Sequence, residues 1–157
     1  MTITATSVLS GLSTTAISEL TSSELAVITT SQVAELTTSQ VAALTTEQAS
    51  FLTTTITSAF NTVQVTAIET VDLQLLTTAA IGALKTSAIA ALTTSQIAAL
   101  NTSQVAALTT EQAPFLTTRI TSALNTEQVT AIETVDLQLL TTTAFGALKT
   151  NAIAALT

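Results

Sequence analysis

The stretch Thr93–Leu108 reads TTSQIAAL NTSQVAAL and contains two copies of one eight-residue unit. Steps of eight through residues 5–156 divide the chain into nineteen such octads. Position 8 of the octad is always large and apolar, and position 5 is apolar except at Thr57 and Thr121. Position 2 is Thr in every octad but one, where Ser22 keeps the hydroxyl. So short a repeat cannot bury an apolar face alone, which predicts a solenoid of stacked repeats.

The start of the octad carries a helix-capping pattern. Nine octads combine Thr or Asn at position 1 with Gln or Glu at position 4, the pairing of a capping box. Positions 5 and 8 share one face of a helical turn. We therefore predict an all-α solenoid of very short capped helices, one per octad. The nine pairs are Thr21 with Glu24, Thr29 with Gln32, Thr37 with Gln40, Thr45 with Gln48, Asn61 with Gln64, Thr93 with Gln96, Asn101 with Gln104, Thr109 with Gln112 and Asn125 with Gln128.

The alternative fold is a β-solenoid, in which positions 6, 8 and 2 alternate inward and the Thr residues form a ladder. It places Val or Ile of position 5 outward in nearly every repeat, which disfavours it. Position 2 itself allows two interpretations: its Thr is the true helix cap, or its hydroxyl is buried between coils and bonds a neighbouring carbonyl. Pro114 removes a helical hydrogen bond and disfavours helix at Ala113.

A second period of 64 residues overlies the octads. Thr45–Leu92 and Thr109–Leu156 differ at seven of 48 aligned positions, which indicates a duplicated block. One geometric interpretation is two coils of four octads. We divide the chain into irregular repeats at 1–28, which either cap the solenoid or have drifted, and a regular octapeptide-repeat solenoid at 29–157. Because Thr157 opens a further octad, we predict an open end that stacks on another molecule.

Composition excludes several classes of function. The net charge is −7, and Lys85, Arg119 and Lys149 are the only basic residues, so a nucleic-acid partner is not expected. No apolar run approaches the roughly 18 residues of a membrane span, so no membrane insertion is expected. The chain has no Cys and no His, which removes the usual nucleophile–base pairs. We predict that it is not an enzyme.

The remaining candidates for chemistry have simpler interpretations. Glu69 and Asp72, with their copies Glu133 and Asp136, are close acids that a calcium ion could bind. Two carboxylates fall well short of calcium's roughly six to eight ligands, and the helix dipole stabilises acids near an N-terminus. Lys85 and Lys149 follow position 8, at a helix end that suits a cation. We therefore assign no catalytic, cofactor-binding or metal-binding residue and expect no cofactor. The four Phe residues, at 51, 60, 115 and 145, are expected to pack in or near the core.

The unit L-T-T-x-Q-[VI]-A-A-L, at Leu36–Leu44 and Leu92–Leu100, resembles the short Ala/Thr/Gln/Leu repeats of very large bacterial surface or secreted proteins of adhesin-like type. The resemblance implies an extracellular or cell-surface location. The predicted function is a structural repeat segment, either a spacer or stalk or a rod that associates with itself end to end or laterally. The alternative is a binding module whose Thr rows face ice or an extracellular polysaccharide.

Overall fold

The computed structural model of the chain describes residues 3–4 and 7–156. Ala5 and Thr6 of the first octad, and Thr157 of the unfinished one, lie outside the described residues. From residue 13 to residue 156, each octad contains one short helix, and the described residues include no strand. The predicted all-α solenoid is confirmed, and the β-solenoid alternative is wrong.

The α-helices are four to six residues long, and one octad contains a 3₁₀ helix of three residues instead. They are α1 Thr14–Ser18, α2 Ser22–Ala26, α3 Thr30–Glu35, α4 Thr38–Ala42, α5 Thr46–Ala49, α6 Thr54–Ala59, α7 Thr62–Thr66, α8 Thr70–Leu73, α9 Thr78–Gly82, α10 Thr86–Ala91, α11 Thr94–Ala99, α12 Thr102–Ala106, the 3₁₀ helix Ala113–Phe115, α13 Thr118–Ala123, α14 Thr126–Ala131, α15 Thr134–Leu137, α16 Thr142–Gly146 and α17 Thr150–Ala154. The 3₁₀ helix contains Pro114, as expected from its missing N–H. The aligned octad, with Ser50 in place of Pro114, forms the α-helix α5.

Position 1 of the octad is the N-cap residue of every α-helix, and its side chain makes the cap hydrogen bond in most of them, the exceptions being α8, α10, α13, α15 and α17. The Thr93 hydroxyl, for example, accepts a hydrogen bond from the backbone N–H of Gln96 at 3.1 Å. The Gln96 carbonyl oxygen Oε1 accepts from the Thr93 N–H at 2.9 Å. All nine predicted pairs make both bonds, so the capping-box prediction is confirmed.

Position 2 is the first residue of every α-helix, and its side chain is exposed or half-buried in every described octad. It is neither the cap nor a group buried between coils, so both interpretations of position 2 are wrong. Nothing in the structure explains why Thr recurs there so strictly.

We expect Thr93→Ala to lower the free energy of unfolding by about 1 kcal/mol, the usual value of a lost Thr cap. The neighbouring change Thr94→Ala removes an exposed hydroxyl at the first helical residue and is expected to be nearly neutral. Urea unfolding followed by circular dichroism compares the two variants. A larger loss in Thr94→Ala would contradict the capping assignment.

The helices stack in three columns, in which each helix packs on the helix three octads further along. One column contains α3, α6, α9, α12, α14 and α17. Another contains α1, α4, α7, α10, the 3₁₀ helix and α15, and the third contains α5, α8, α11, α13 and α16. Three octads hold 24 residues, whereas hydrogen bonds between coils join residues 25 to 31 apart. Successive coils are therefore offset by a few residues.

This arrangement corrects the interpretation of the 64-residue period as two coils of four octads. A coil takes three octads, so a block of eight octads is not a whole number of coils. The two copies of the duplicated block consequently occupy different columns, as α5 and the 3₁₀ helix do.

The core is formed by positions 5 and 8, as predicted, and also by position 4. A void inside the core measures about 10 Å³, which is at the lower limit for a single water molecule. Phe60 is fully buried, but Phe51, Phe115 and Phe145 are 48%, 44% and 39% exposed. The expectation that the Phe residues pack in or near the core is confirmed for Phe60, whereas the other three are exposed. Phe51 and Phe115 are exposed because they occupy position 7, which points away from the core. Phe145 occupies position 5, but it belongs to the last described coil.

The two glycines that end α9 and α16 occupy aligned positions but have different surroundings. A Cβ added at Gly82 would lie 3.1 Å from the carbonyl oxygen of Ala107 in the next coil. A Cβ added at Gly146 would meet no atom within 4 Å. We expect Gly146→Ala to stabilise the fold by about 0.5–1 kcal/mol, through helix propensity and lost chain entropy. Gly82→Ala should show no such gain in the same urea titration, and equal gains would contradict the close approach.

Candidate functional site: the glutamine ladder

The buried Gln side chains at position 4 join each coil to an earlier one. The amide nitrogen Nε2 of Gln96 donates to the carbonyl oxygens of Val65 at 2.9 Å and Ile68 at 2.8 Å. Those residues hold positions 5 and 8 of an earlier octad. Because Oε1 of the same amide accepts from the Thr93 N–H, one side chain caps its own helix and binds the coil beneath it.

Eight Gln residues form this glutamine ladder, and all are buried. In seven of them Nε2 donates to carbonyl oxygens 28 and 31 residues earlier, and Gln32 reaches Thr4 and Ser7 instead. Each such hydrogen bond contributes about 1 kcal/mol, and a buried carbonyl left without it costs more. The members are Gln32, Gln40, Gln48, Gln64, Gln96, Gln104, Gln112 and Gln128.

The spacing of these residues predicted their role as capping partners but not their contacts between coils. One signal was present: Glu serves a capping box as well as Gln does, yet eight of the nine pairs use Gln. Glu24 is the exception, and its side chain is half-buried whereas the eight Gln side chains are buried. Hydrogen bonds from the backbone N–H and the hydroxyl of Thr21 lower the pKa of the Glu24 carboxyl. Glu is therefore used where the position-4 side chain is only half-buried.

Basic side chains donate between coils in two octads that lack Gln. The Lys85 ammonium donates to the Ala59 carbonyl at 3.3 Å, at the C-terminal end of α6. The Arg119 guanidinium donates to the carbonyls of Leu92 and, at 2.8 Å, Ala90. The expectation of a cation at a helix end therefore holds for Lys85, but the helix belongs to the preceding coil. The negative end of the helix dipole favours such a cation.

The acids predicted to lie together at the start of α8 have different environments. Glu69 is the N-cap residue and is exposed, whereas Asp72 is 4% exposed and occupies the ladder position. Burial raises the pKa of the Asp72 carboxyl, a hydrogen bond from Thr46 lowers it, and the charge of Glu69 raises it further. The Oδ1 atom of Asp72 has no hydrogen-bond partner among the described residues. A carboxylate on the surface would interact with the helix dipole equally well. The dipole therefore does not explain why Asp72 is buried.

The copy of this octad repeats the arrangement. Glu133 is the exposed N-cap residue of α15, and Asp136 is 3% exposed with an unpartnered Oδ1. No group of three or more His, Cys, Asp or Glu residues is placed to hold a metal ion within the described ranges.

Exposed apolar side chains lie at position 7 in two pairs of stacked octads. Phe51 and Leu75 follow α5 and α8, which pack on each other. Phe115 and Leu139 belong to the octads of the 3₁₀ helix and α15, which are also neighbours. All four are between 42% and 48% exposed. Contiguous exposed apolar surface often marks an interaction site.

The last coil leaves an open groove of about 370 Å³ lined by Thr134, Leu137, Gln138, Leu140, Thr142 and Phe145. Among residues 3–4 and 7–156, no helix has the length and hydropathy needed to cross a membrane.

Comparison with known proteins matches the central octads to one family. Residues 65–102 and 94–118 match the family model of the ALTTAQ repeat. No curated protein and no solved structure gives a match. The matched segments span octads that carry the ladder residues Gln96, Gln104 and Gln112. The chain is thus built of short tandem repeats that are similar, over residues 65–118, to the ALTTAQ repeat.

Proposed function

We propose that this chain is a spacer or stalk segment of a bacterial surface or secreted protein, and that it performs no catalysis. The glutamine ladder is the observation that carries the proposal. Each ladder Gln fixes one coil on an earlier one through two hydrogen bonds to main-chain carbonyls, so the contact depends little on the other side chains. Such an array can lengthen by whole repeats without a new fold, which suits a spacer.

The length of the protein as a function of repeat number tests the spacer. A variant with a second copy of Thr93–Leu156 inserted after Leu156 adds eight octads. We expect the longest dimension from small-angle X-ray scattering to increase in proportion to octad number, and thermal stability to rise. An added block that leaves the longest dimension unchanged would contradict the proposal.

The location requires a separate experiment. Antibodies against the chain should label intact cells of the source organism or its culture supernatant. Labelling that appears only after permeabilisation would contradict a surface or secreted location.

The exposed pairs at position 7 support lateral self-association of the rod. We expect light scattering after size exclusion to show a concentration-dependent mass, which Phe51→Ser with Phe115→Ser reduces to that of the monomer. The control, Val71→Ser with Val135→Ser, removes two other exposed apolar side chains. A wild-type mass that stays monomeric at all concentrations would contradict self-association.

The second candidate function is binding of ice or polysaccharide by the exposed Thr surface. Its support is the exposure of position 2 along the chain. The offset between coils opposes this function. Thr46 bonds Asp72, and Thr126 bonds Asn151, so position 2 of one coil lies beside position 4 or 3 of the next coil. Rows of hydroxyls are therefore oblique to the stacking direction. Inhibition of ice recrystallisation, lost when Thr94 and Thr118 are changed to Val, would favour this function over the spacer.

A further inference from the structure

Asp72 and Asp136 occupy the ladder position but do not have an amide. Both are more than nine-tenths buried, and one carboxylate oxygen of each has no hydrogen-bond partner among the described residues. The ladder register, 28 and 31 residues back, assigns the carbonyls of Leu44 and Val41 to Asp72. The same register assigns the carbonyls of Leu108 and Val105 to Asp136. No side chain of the described residues donates to these four carbonyls.

The cradle beneath each Asp consists of hydrogen-bond acceptors. Asp is one methylene shorter than Gln and, when ionised, carries no N–H. By analogy with the Gln octads, the register puts one carboxylate oxygen and two carbonyl oxygens around the place of the amide nitrogen. A water molecule there has two protons for three acceptors. The Val41 carbonyl is in the last turn of α4, and the Leu44 carbonyl lies just beyond its end. Both are therefore at the negative end of the helix dipole.

Elsewhere the protein places positive charge on carbonyls of an earlier coil, and one of them, Leu92, is at the ladder register 28 residues before Ile120. Lys85 and Arg119 donate to carbonyls of an earlier coil in octads whose position 4 is Ala88 or Ile120. The octads of Asp72 and Asp136 contain no basic residue. An external cation would therefore complete the same electrostatic arrangement.

We propose that Asp72 and Asp136 each bind a monovalent cation of the size of potassium, in the place that the Gln amide nitrogen takes in other octads. The distances favour this class of ion. In the Gln64 and Gln96 octads, Nε2 lies 2.8–2.9 Å from both carbonyl oxygens. Calcium requires roughly 2.3–2.6 Å and six to eight oxygens, and magnesium roughly 2.0–2.1 Å with several retained waters. One carboxylate, two carbonyls and the nearby Thr46 hydroxyl suit a large ion of low charge.

Thermal unfolding in different salts tests the site. We expect the midpoint at pH 7 to be at least about 2 °C higher in potassium chloride than in tetramethylammonium chloride of equal ionic strength, because a ligand of the folded state raises its stability. Asp72→Asn with Asp136→Asn should abolish the difference. The matched control, Glu47→Gln with Glu111→Gln, removes two exposed carboxylates of the adjoining octads and should keep it. As a readout that needs no variant, wild-type crystals soaked in rubidium chloride should show an anomalous peak beside each Asp.

Three results would overturn the proposal. Equal salt responses in all three proteins would show general screening, and a stronger response to calcium chloride would show a different class of ion. The third result is a wild-type stability that falls as the pH rises from 4 to 7 and does not depend on which cation is present. The Asn variant would not show this fall. That result would place a proton on the carboxyl instead. The ionisable groups near Asp72 are Glu69 on its own octad and Glu47 on α5, and α11 carries none.

Discussion

Gln104→Glu is expected to lower the free energy of unfolding by about 3–5 kcal/mol, the cost of a buried charge without a partner. Gln104 is 1% exposed, and its Nε2 donates to the carbonyls of Leu73, Gln74 and Leu76 at 2.9, 3.2 and 2.9 Å. The change preserves side-chain shape and the oxygen that accepts from the Asn101 N–H. It replaces the donor by an anionic oxygen facing three acceptors. Urea unfolding at pH 7 measures the loss.

The pH dependence of the Gln104→Glu variant gives a second check. Burial against carbonyl oxygens should raise the pKa of the new carboxyl in the folded state. The penalty is then absent below the unfolded pKa of about 4.3 and grows as pH rises above it. The control is Glu24→Gln, the reverse change at a half-buried position 4, and it should be close to neutral. A penalty in Gln104→Glu that matches this control would contradict the ladder.

Phe60→Ala is expected to cost about 3–5 kcal/mol, as for other fully buried Phe side chains. Phe60 has no exposed surface and occupies position 8, where the side chain packs in the column core. Phe60→Leu should cost less than about 1.5 kcal/mol, because Leu124 fills the aligned position and is 2% exposed. Urea titrations monitored by circular dichroism compare the two variants.

Two outcomes would be informative about Phe60. Equal costs for Ala and Leu would contradict the packing described for position 8. Hydrogen exchange should also show that protection is lost first in α3, α6 and α9, the column that contains Phe60, because repeats contact mainly their neighbours. Uniform loss along the chain would indicate a single cooperative unit.

The cap pairs show which features can be read from the chain. Thr93 and Gln96 are three residues apart, so their mutual bonds form inside one octad and leave a local pattern. The same argument gives the shared face of Ile97 and Leu100, both buried. Helix type, cap position and two of the three core positions were therefore predictable from residue spacing alone.

The contacts between coils left weaker traces. Whether Gln96 reaches Val65 or another residue depends on how many octads complete a coil, and nothing local specifies that number. Phe51 and Phe60 differ by one octad position, 7 against 8, yet one is 48% exposed and the other fully buried. Residue type predicted burial for both. The tertiary arrangement decided between them.

By itself the sequence determined one capped helix per octad and an apolar face at positions 5 and 8, because these depend on hydrogen bonds and contacts across three or four residues. The tertiary structure decided the three columns, the second role of the glutamines, the carbonyl partners of Lys85 and Arg119 and the burial of Asp72. These contacts join residues 25 to 31 apart. They depend on the angle of every corner between octads, and small changes in that angle accumulate over a coil before two distant residues meet.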